Sequence, residues 1–291
     1  MTTINLPASV PSISKTRSIG DILVSTGRLT LEDAVRIVQH QLSDNTKFGD
    51  AAIALNLLTK DDVDFALSQQ FDYTYLSDRD TSLSNELVAA YKPFSGVGEN
   101  LRAVRSQLML RWFNTDSNHK VLTVVSPGLG EGRSFFAANL AIVFAQQGER
   151  TLLIDGDLRT GRQQKLFKLG KNAGLSGVLA GRAELDAALP VPSLPGLTVL
   201  PSGAVPPNPQ ELLGRNTFDY LLQIAAQKFD VIIVDTPAGS AFADAELIAA
   251  RAGAAVMLAR KNQSLLPQTT LLTRRLQDSG VTVVGSILND V

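Results

Sequence analysis

Val121-Leu122-Thr123-Val124-Val125-Ser126-Pro127-Gly128-Leu129-Gly130-Glu131-Gly132-Arg133-Ser134 is the stretch that decides the fold. The run 121–125 is apolar and β-branched and reads as a buried strand. Residues 126–134 read as a glycine-rich loop, and Phe135 to Gln146 as an apolar helix. A loop between a strand and a helix gathers backbone N–H groups and the positive end of a helix dipole around one point, which cradles phosphate. Gly130 and Gly132 let the backbone approach a pyrophosphate, and Ser134 places a hydroxyl where Mg²⁺ would sit. The phosphate-loop motif ends in Gly-Lys-Ser or Gly-Lys-Thr, whereas this loop ends in Gly132-Arg133-Ser134. Arginine keeps the charge and can grip phosphate with two donors, but it is longer and planar, so the geometry changes.

A glycine turn alone would be weak evidence; two further segments strengthen it. Leu152-Leu153-Ile154-Asp155-Gly156-Asp157-Leu158-Arg159 reads as a strand that ends in two carboxylates one residue apart. Acids at the C-terminal edge of a sheet lie where open α/β folds bind ligands, and they suit a Mg²⁺ and phosphoryl site. Val231-Ile232-Ile233-Val234-Asp235-Thr236-Pro237 has the form of a Walker B strand, whose acid holds the metal or its water. Further buried strands are read at Leu197–Leu200, Ala254–Ala259 and Val281–Leu288, with helical stretches between them. Near-continuous apolar strands alternating with helices predict an α/β fold, a doubly wound and mostly parallel sheet covered on both faces. Pro201–Pro209, with four prolines, is too irregular for either element.

The bulk of the chain narrows the class. Its 291 residues hold ample core, and its net charge of −1, with no lysine or arginine run, argues against a nucleic-acid partner. Cysteine is absent, which excludes disulfides and thiolate chemistry, and His40 and His119 lie far apart in sequence. Met1 to Ile13 has neither the charged start nor the apolar core of a signal peptide, and no apolar run approaches a membrane span. A soluble, cytoplasmic protein is expected.

The first quarter contains a repeat. Ser18 to Gln41 and Lys47 to Gln70 are offset by 29 residues and share six of 24 positions. Each copy reads as a short helix, a turn and a longer helix, with Thr30 and Thr59 as N-caps and acids in the following turn. One such unit cannot bury its apolar face, so the copies are expected to pack together. The resulting division is a disordered tail at 1–16, a helical domain at 17–80, a connector at 81–98 rich in Ser, Gly and Pro, and a nucleotide-binding domain at 99–291. That last domain would open with a helix from Glu99 to Trp112.

With these motifs in order, residues 99–291 resemble the bacterial tyrosine kinase (BY-kinase) domain of the polysaccharide chain-length-determinant type, a relative of the MinD/ParA ATPases. Gly174-Leu175-Ser176 and Pro206-Pro207-Asn208-Pro209-x-Glu211-Leu212-Leu213 extend the match. The overall layout is similar to the EpsG-type subgroup, in which the kinase works with a separate membrane protein. The resemblance implies an ATP- and Mg²⁺-dependent protein-tyrosine kinase that regulates exopolysaccharide chain length and export. Its expected partner is the cytoplasmic segment of a membrane chain-length-determinant protein, which would recruit it to the inner membrane, and its substrate a protein tyrosine. Asp155 would be the base toward the tyrosine hydroxyl, with Asp157 and Arg133 beside it. Ser134, Asp157 and Asp235 would hold Mg²⁺. Gly128, Gly130, Glu131, Gly132, Arg133, Ser134 and Phe135 would bind the nucleotide phosphates, and Asn289 matches the position that contacts adenine. Glu99, Arg102 and Arg105 match a segment used for homo-oligomeric ring assembly, and their spacing sets them on one helix face.

Two departures define an alternative reading, a nucleotide-gated assembly protein that binds ATP without productive transfer. One is Arg133. The other is the end at Val291 without a tyrosine cluster: Tyr73, Tyr75, Tyr91 and Tyr220 all lie elsewhere, so transfer is expected to reach another tyrosine or another protein. The repeat resembles the N-terminal (MshEN-like) domain of type II secretion and pilus ATPases, some of which bind cyclic di-GMP. Gly20, Leu23, Gly27, Leu29 and Gln41 match in the first copy, and Gly49, Leu58, Leu67 and Gln70 in the second. Ser18 and Lys47 replace the leading arginine, and Asn56 stands opposite Gly27. Cyclic di-GMP is the ligand that this resemblance implies; the departures favour a packing or docking module.

Overall fold

The computed structural model describes residues 18–70, 76–77, 80–116 and 118–290. The expected tail at 1–16, and Tyr73 and Tyr75, lie outside the described residues. Two compact units part between Tyr73 and Thr74.

The first unit holds four helices, α1 (Ile19–Ser25), α2 (Leu31–Asp44), α3 (Phe48–Ala54) and α4 (Lys60–Gln70), short and long in alternation. Ser18 and Asp21 form a reciprocal capping box at α1. Thr30 Oγ1 accepts from Asp33 N at 3.1 Å, and Thr59 Oγ1 from Asp62 N at 3.2 Å, so both threonines cap as their positions predict. The copies share one core, with Ile22, Leu23, Leu29 and Ile37 against Ala51, Ala52, Leu58 and Ala66. Helix α1 packs on α4, and α2 on α3, so each copy closes the other. Gly27 (φ 71°) and its counterpart Asn56 (φ 53°) are both left-handed. Asparagine tolerates that conformation, so this difference between the copies leaves the turn unchanged.

In the second unit the stretch expected as a connector is part of the core. Leu83, Leu87, Ala89, Ala90 and Tyr91 are buried, around the short helix α5 (Val88–Tyr91). Their backbone is tied to the helix that follows the glycine loop: Ala89 N donates to Asn139 Oδ1 at 2.8 Å, and Gln146 Nε2 to Ala89 O at 2.9 Å. Polar composition between 81 and 98 masked these apolar positions. Helix α6 (Gly96–Leu108) ends in a π-turn at Met109–Phe113, which turns Trp112 and Phe113 inward.

From there the chain alternates. Its strands are β1 (Val121–Val125), β2 (Thr151–Asp155), β3 (Leu189–Pro190), β4 (Leu197–Leu200), β5 (Val231–Asp235), β6 (Ala254–Arg260) and β7 (Thr282–Asn289). The helices between them are α7 (Arg133–Ala145), α8 (Gln163–Leu166), α9 (Gly174–Leu179), α10 (Pro209–Leu213), α11 (Asn216–Lys228), α12 (Asp244–Ala252) and α13 (Leu266–Asp278). The sheet order is β3-β4-β2-β5-β1-β6-β7, parallel throughout except for β3 against β4. Strands β1, β2 and β5 are buried along their whole length, as continuous apolar runs require. Strand β7 differs from the expectation of a buried strand: it forms the sheet edge and is half-exposed. The short β3 carried no pattern that marked it. Because β1, β2, β5 and β6 are parallel, Ser126, Asp155, Asp235 and Arg260 all arrive at one edge.

Candidate active site

The glycine loop is shaped by what its carbonyls touch. Leu129 O accepts from Gln263 Nε2 at 2.8 Å, Gly130 O from Arg260 Nη1 at 2.9 Å, and Glu131 O from Asn289 Nδ2 at 3.1 Å. Within a trans peptide the N–H points opposite to the C=O. The N–H groups of Gly130, Glu131 and Gly132 therefore point away from Gln263, Arg260 and Asn289, the side chains that hold the carbonyls. Gly130 (φ 71°) and Gly132 (φ 95°) supply the left-handed turns this requires. A Cβ at Gly132 would lie 2.4 Å from Asn289 Nδ2. The Glu131 side chain is buried and braces the loop instead of facing a ligand: Oε2 accepts from Gly128 N at 2.7 Å, and Oε1 from Ser264 Oγ. Phe135 is half-buried in the first turn of α7. Sequence reasoning missed Arg260, Gln263 and Ser264, which reach the loop from across 130 residues or more.

Arg133 is buried and lies along the loop. Nε donates to Thr236 O at 2.9 Å, and Nη1 to Gly128 O at 2.5 Å and to Ser126 Oγ. One guanidinium thus ties the end of β1 to the end of β5, which the single nitrogen of a lysine could not reproduce. Burial lowers its pKa, opposed by the charges of Asp235, Glu131 and Asp157.

The acids converge as their strand positions predict. Asp155 and Asp235 are direct register partners on β2 and β5. Asp155 is fully buried and accepts from Gln163 N at 2.9 Å and Asp157 N at 3.3 Å. Asp157 accepts from Thr160 N at 2.8 Å, Thr160 Oγ1 at 2.7 Å and Arg159 N at 3.0 Å. Asp235 Oδ2 accepts from Gln163 Nε2 at 2.8 Å, while its Oδ1 is buried without a partner. Burial, with Asp235 adjacent, holds the Asp155 carboxyl well above the usual carboxylate range. Burial also raises Asp235 to about 6, against hydrogen bonds from Ser134 and Gln163 and the charge of Arg133. Arg159 turns away from the cluster: its guanidinium pairs with Asp244 at 2.8 Å and stacks 3.8 Å over Phe242. Gln163 and Asp244 had no distinguishing sequence signal.

A divalent cation fits this donor set. Ser134 and Asp157 bring hard oxygens to Asp235, whose Oδ1 has no partner, and Arg133 is the cation beside these acids. Among the described residues no three acidic or imidazole groups converge to hold an ion unaided. Mg²⁺ needs only one or two carboxylates, with water and phosphate oxygens completing its shell.

The helix-face residues stand apart from this cluster. In α6, Arg102 bonds Glu99 and the Pro93 carbonyl, and Arg105 Nη1 donates to Val143 O at 3.0 Å. Both arginines thus fasten α6 within the unit, while Glu99 is exposed.

A glycine nest, a helix N-terminus and buried acids at the C-terminal edge of a parallel sheet define a P-loop nucleotide-binding protein. No protein-family model matches the chain. It is 35% identical over 204 residues to the tyrosine-protein kinase etk of Escherichia coli K12, covering 70% of this chain and 28% of that protein. It is 34% identical over 207 residues to the tyrosine-protein kinase wzc of Salmonella typhimurium, covering 71% and 28%. The chain thus spans less than a third of the length of these relatives. The solved kinase domain of Escherichia coli ETK matches with a TM-score of 0.69 and 33% identity over 74% of this chain and 84% of that one. The septum site-determining protein MinD of Pyrococcus horikoshii, complexed with Mg-ADP, matches with a TM-score of 0.52 and 27% identity over 58% and 70%. The chain belongs to the bacterial tyrosine kinase family.

Proposed function

We propose that this protein is an ATP- and Mg²⁺-dependent protein-tyrosine kinase that regulates exopolysaccharide chain length and export. The observation that carries this reading is the buried Asp155–Asp235 pair, with Asp157 beside it, at the sheet edge where β1 also ends in the glycine loop. The N–H groups of Gly130, Glu131 and Gly132 hold phosphate oxygens, and the helix N-terminus adds its partial positive charge. Ser134, Asp157 and Asp235 hold Mg²⁺, which supplies charge neutralisation on the phosphates when bound. Asp155 takes the proton of a tyrosine hydroxyl. As that oxygen bonds the γ-phosphorus, the bond from the γ-phosphorus to the β–γ bridging oxygen breaks and ADP leaves. The raised pKa makes the ionised form of Asp155 a stronger base than an exposed carboxylate, and requires that the carboxyl first release its own proton.

The family resemblance supports a membrane chain-length-determinant protein as partner, its cytoplasmic segment bringing the kinase to the inner membrane. Among the described residues no helix is long and apolar enough to cross a membrane. The same resemblance supports the Glu99–Arg105 face of α6 for self-association, with Glu99 as its exposed member and Arg102 and Arg105 holding the helix in place. Purified protein with the partner's cytoplasmic segment, ATP and Mg²⁺ should yield phosphotyrosine, and Asp155→Asn should yield none. An intact signal in Asp155→Asn would sink the assignment of the base; no signal with the native chain would sink the kinase reading.

The first unit reads as a docking module. A cavity of about 720 Å³, lined by Gly20, Gln41 and Gln70 among others, brings the ends of both repeats together. Its only charged lining group among the described residues is Asp21, which disfavours a dianionic ligand. Calorimetric binding of cyclic di-GMP at micromolar concentration would overturn this reading.

A further inference from the structure

A second cavity, of about 520 Å³, opens between α9 and the 204–208 loop, on the β4 side of the acid cluster. Its lining residue Ser176 donates its N–H to Ser202 O at 2.9 Å, and Ser202 stands against Gly161 beside the acid cluster, so one residue separates the cavity from Asp155. A Cβ at Gly161 would lie 2.2 Å from Ser202 Oγ and 2.8 Å from Asp155 Oδ2, so Ser202 and Asp155 flank the same glycine. The cavity's walls are held rigidly. Leu175 N donates to Pro201 O at 2.7 Å and Ser176 N to Ser202 O at 2.9 Å. Gly203 (φ 80°) packs so closely that a Cβ would lie 2.1 Å from Ala173 O.

The lining combines two characters. Ala180, Val205, Pro206 and Pro207 form an apolar wall, while Arg182 and Arg215 supply the charge, and no acid lines the cavity. Several arginines of this unit are paired with carboxylates, among them Arg159 with Asp244, Arg162 with Glu86, and Arg251 with Asp219, and others such as Arg105, Arg133 and Arg260 bond carbonyls. Arg182 and Arg215 are exposed and have no carboxylate partner among the described residues. Free guanidinium groups bind carboxylate and phosphate through paired N–H donors, and an apolar wall beside them covers an aliphatic stem or a ring.

We propose that this cavity is a subsite for an anionic side chain of the polypeptide substrate, next to the tyrosine served by Asp155. The enzyme would thereby select tyrosines flanked by a carboxylate or by an already phosphorylated tyrosine. The inference rests on the kinase reading and deepens it by naming the substrate's chemistry.

The test uses the full chain and fluorescein-labelled peptides with one target tyrosine and a flanking glutamine, glutamate or phosphotyrosine. Fluorescence anisotropy reads binding and, separately, phosphotransfer is measured on the same peptides. The glutamate and phosphotyrosine peptides should bind at least about tenfold more tightly than the glutamine peptide, a preference that high salt weakens. The double variant Arg182→Ala/Arg215→Ala should lose the preference while nucleotide affinity stays unchanged. Tighter binding of phosphotyrosine than of glutamate assigns the subsite to phosphorylated flanks; equal binding assigns it to carboxylates as well. Equal affinity for all three peptides, or a preference that persists in the double variant, overturns the proposal. Charge preference without phosphotransfer would sink the kinase reading alone, and phosphotransfer without preference would sink the subsite alone.

Discussion

Asp235 sits in an environment that disfavours its charge, because one oxygen is buried without a partner and Asp155 faces it across the ladder. Its pKa rises from 3.8 to about 6. Between those values the folded protein keeps a proton that the unfolded chain has released, so this group makes stability fall as pH rises from about 4 to about 6. The penalty is fully present above about pH 6 and vanishes below about pH 4. Asp235→Asn should therefore unfold at a higher temperature than the native chain near pH 7.5, with the gain shrinking toward pH 4. It should also lose cation-dependent nucleotide binding. A difference in melting temperature that does not change with pH would refute this account. Arg133 makes a second residue-scale prediction. Arg133→Lys should retain nucleotide binding but lose the tie to Thr236, at about 1–2 kcal/mol by denaturant unfolding. Arg133→Ala should lose nucleotide affinity as well; a lysine variant as stable as the native chain would contradict the role given to Nε.

At the scale of elements, the glycine loop is shaped by β6, β7 and the 260–264 turn, whose side chains hold its carbonyls. Gly132→Ala combines a left-handed backbone with a Cβ 2.4 Å from Asn289 Nδ2, so it should detach Asn289 from Glu131 and weaken nucleotide binding at least about tenfold. Gly148 is equally left-handed (φ 96°) but has open space around its would-be Cβ. Gly148→Ala should cost about 1–2 kcal/mol of stability and leave nucleotide binding intact. Equal losses of nucleotide affinity in the two variants would mean that strain, not the Asn289 contact, governs the loop. The loop, Asp155, Asp157 and Asp235 were legible in the sequence because each motif is local and ends a recognisable strand. Gln163, Asp244, Arg260, Gln263 and Ser264 were not, because a single polar residue in a loop carries no pattern until the sheet brings it to the site.

For the whole molecule, the two units carry separate cores. Leu23 is fully buried in the first, so Leu23→Ala should destabilise that unit by about 2–5 kcal/mol. Calorimetry of the full chain should show an early transition moving to lower temperature, while the transition that nucleotide raises stays in place. A single transition that shifts as a whole would show the units to be thermodynamically coupled.

The sequence by itself determined the parallel α/β sheet, the glycine loop between β1 and α7, the acids that end β2 and β5, and the caps of the first unit. Each depends on residue identity and on spacing within a few residues, which local sterics and hydrogen bonding read directly. Tertiary structure alone decided that residues 81–98 belong to the core, that β7 lies half-exposed at the edge, and that Arg159 pairs with Asp244. It also turned the Glu131 side chain and the Arg133 guanidinium into braces of the loop. These outcomes depend on which strands become neighbours, and strand order is fixed by burying all apolar faces at once, a condition that no window of sequence contains.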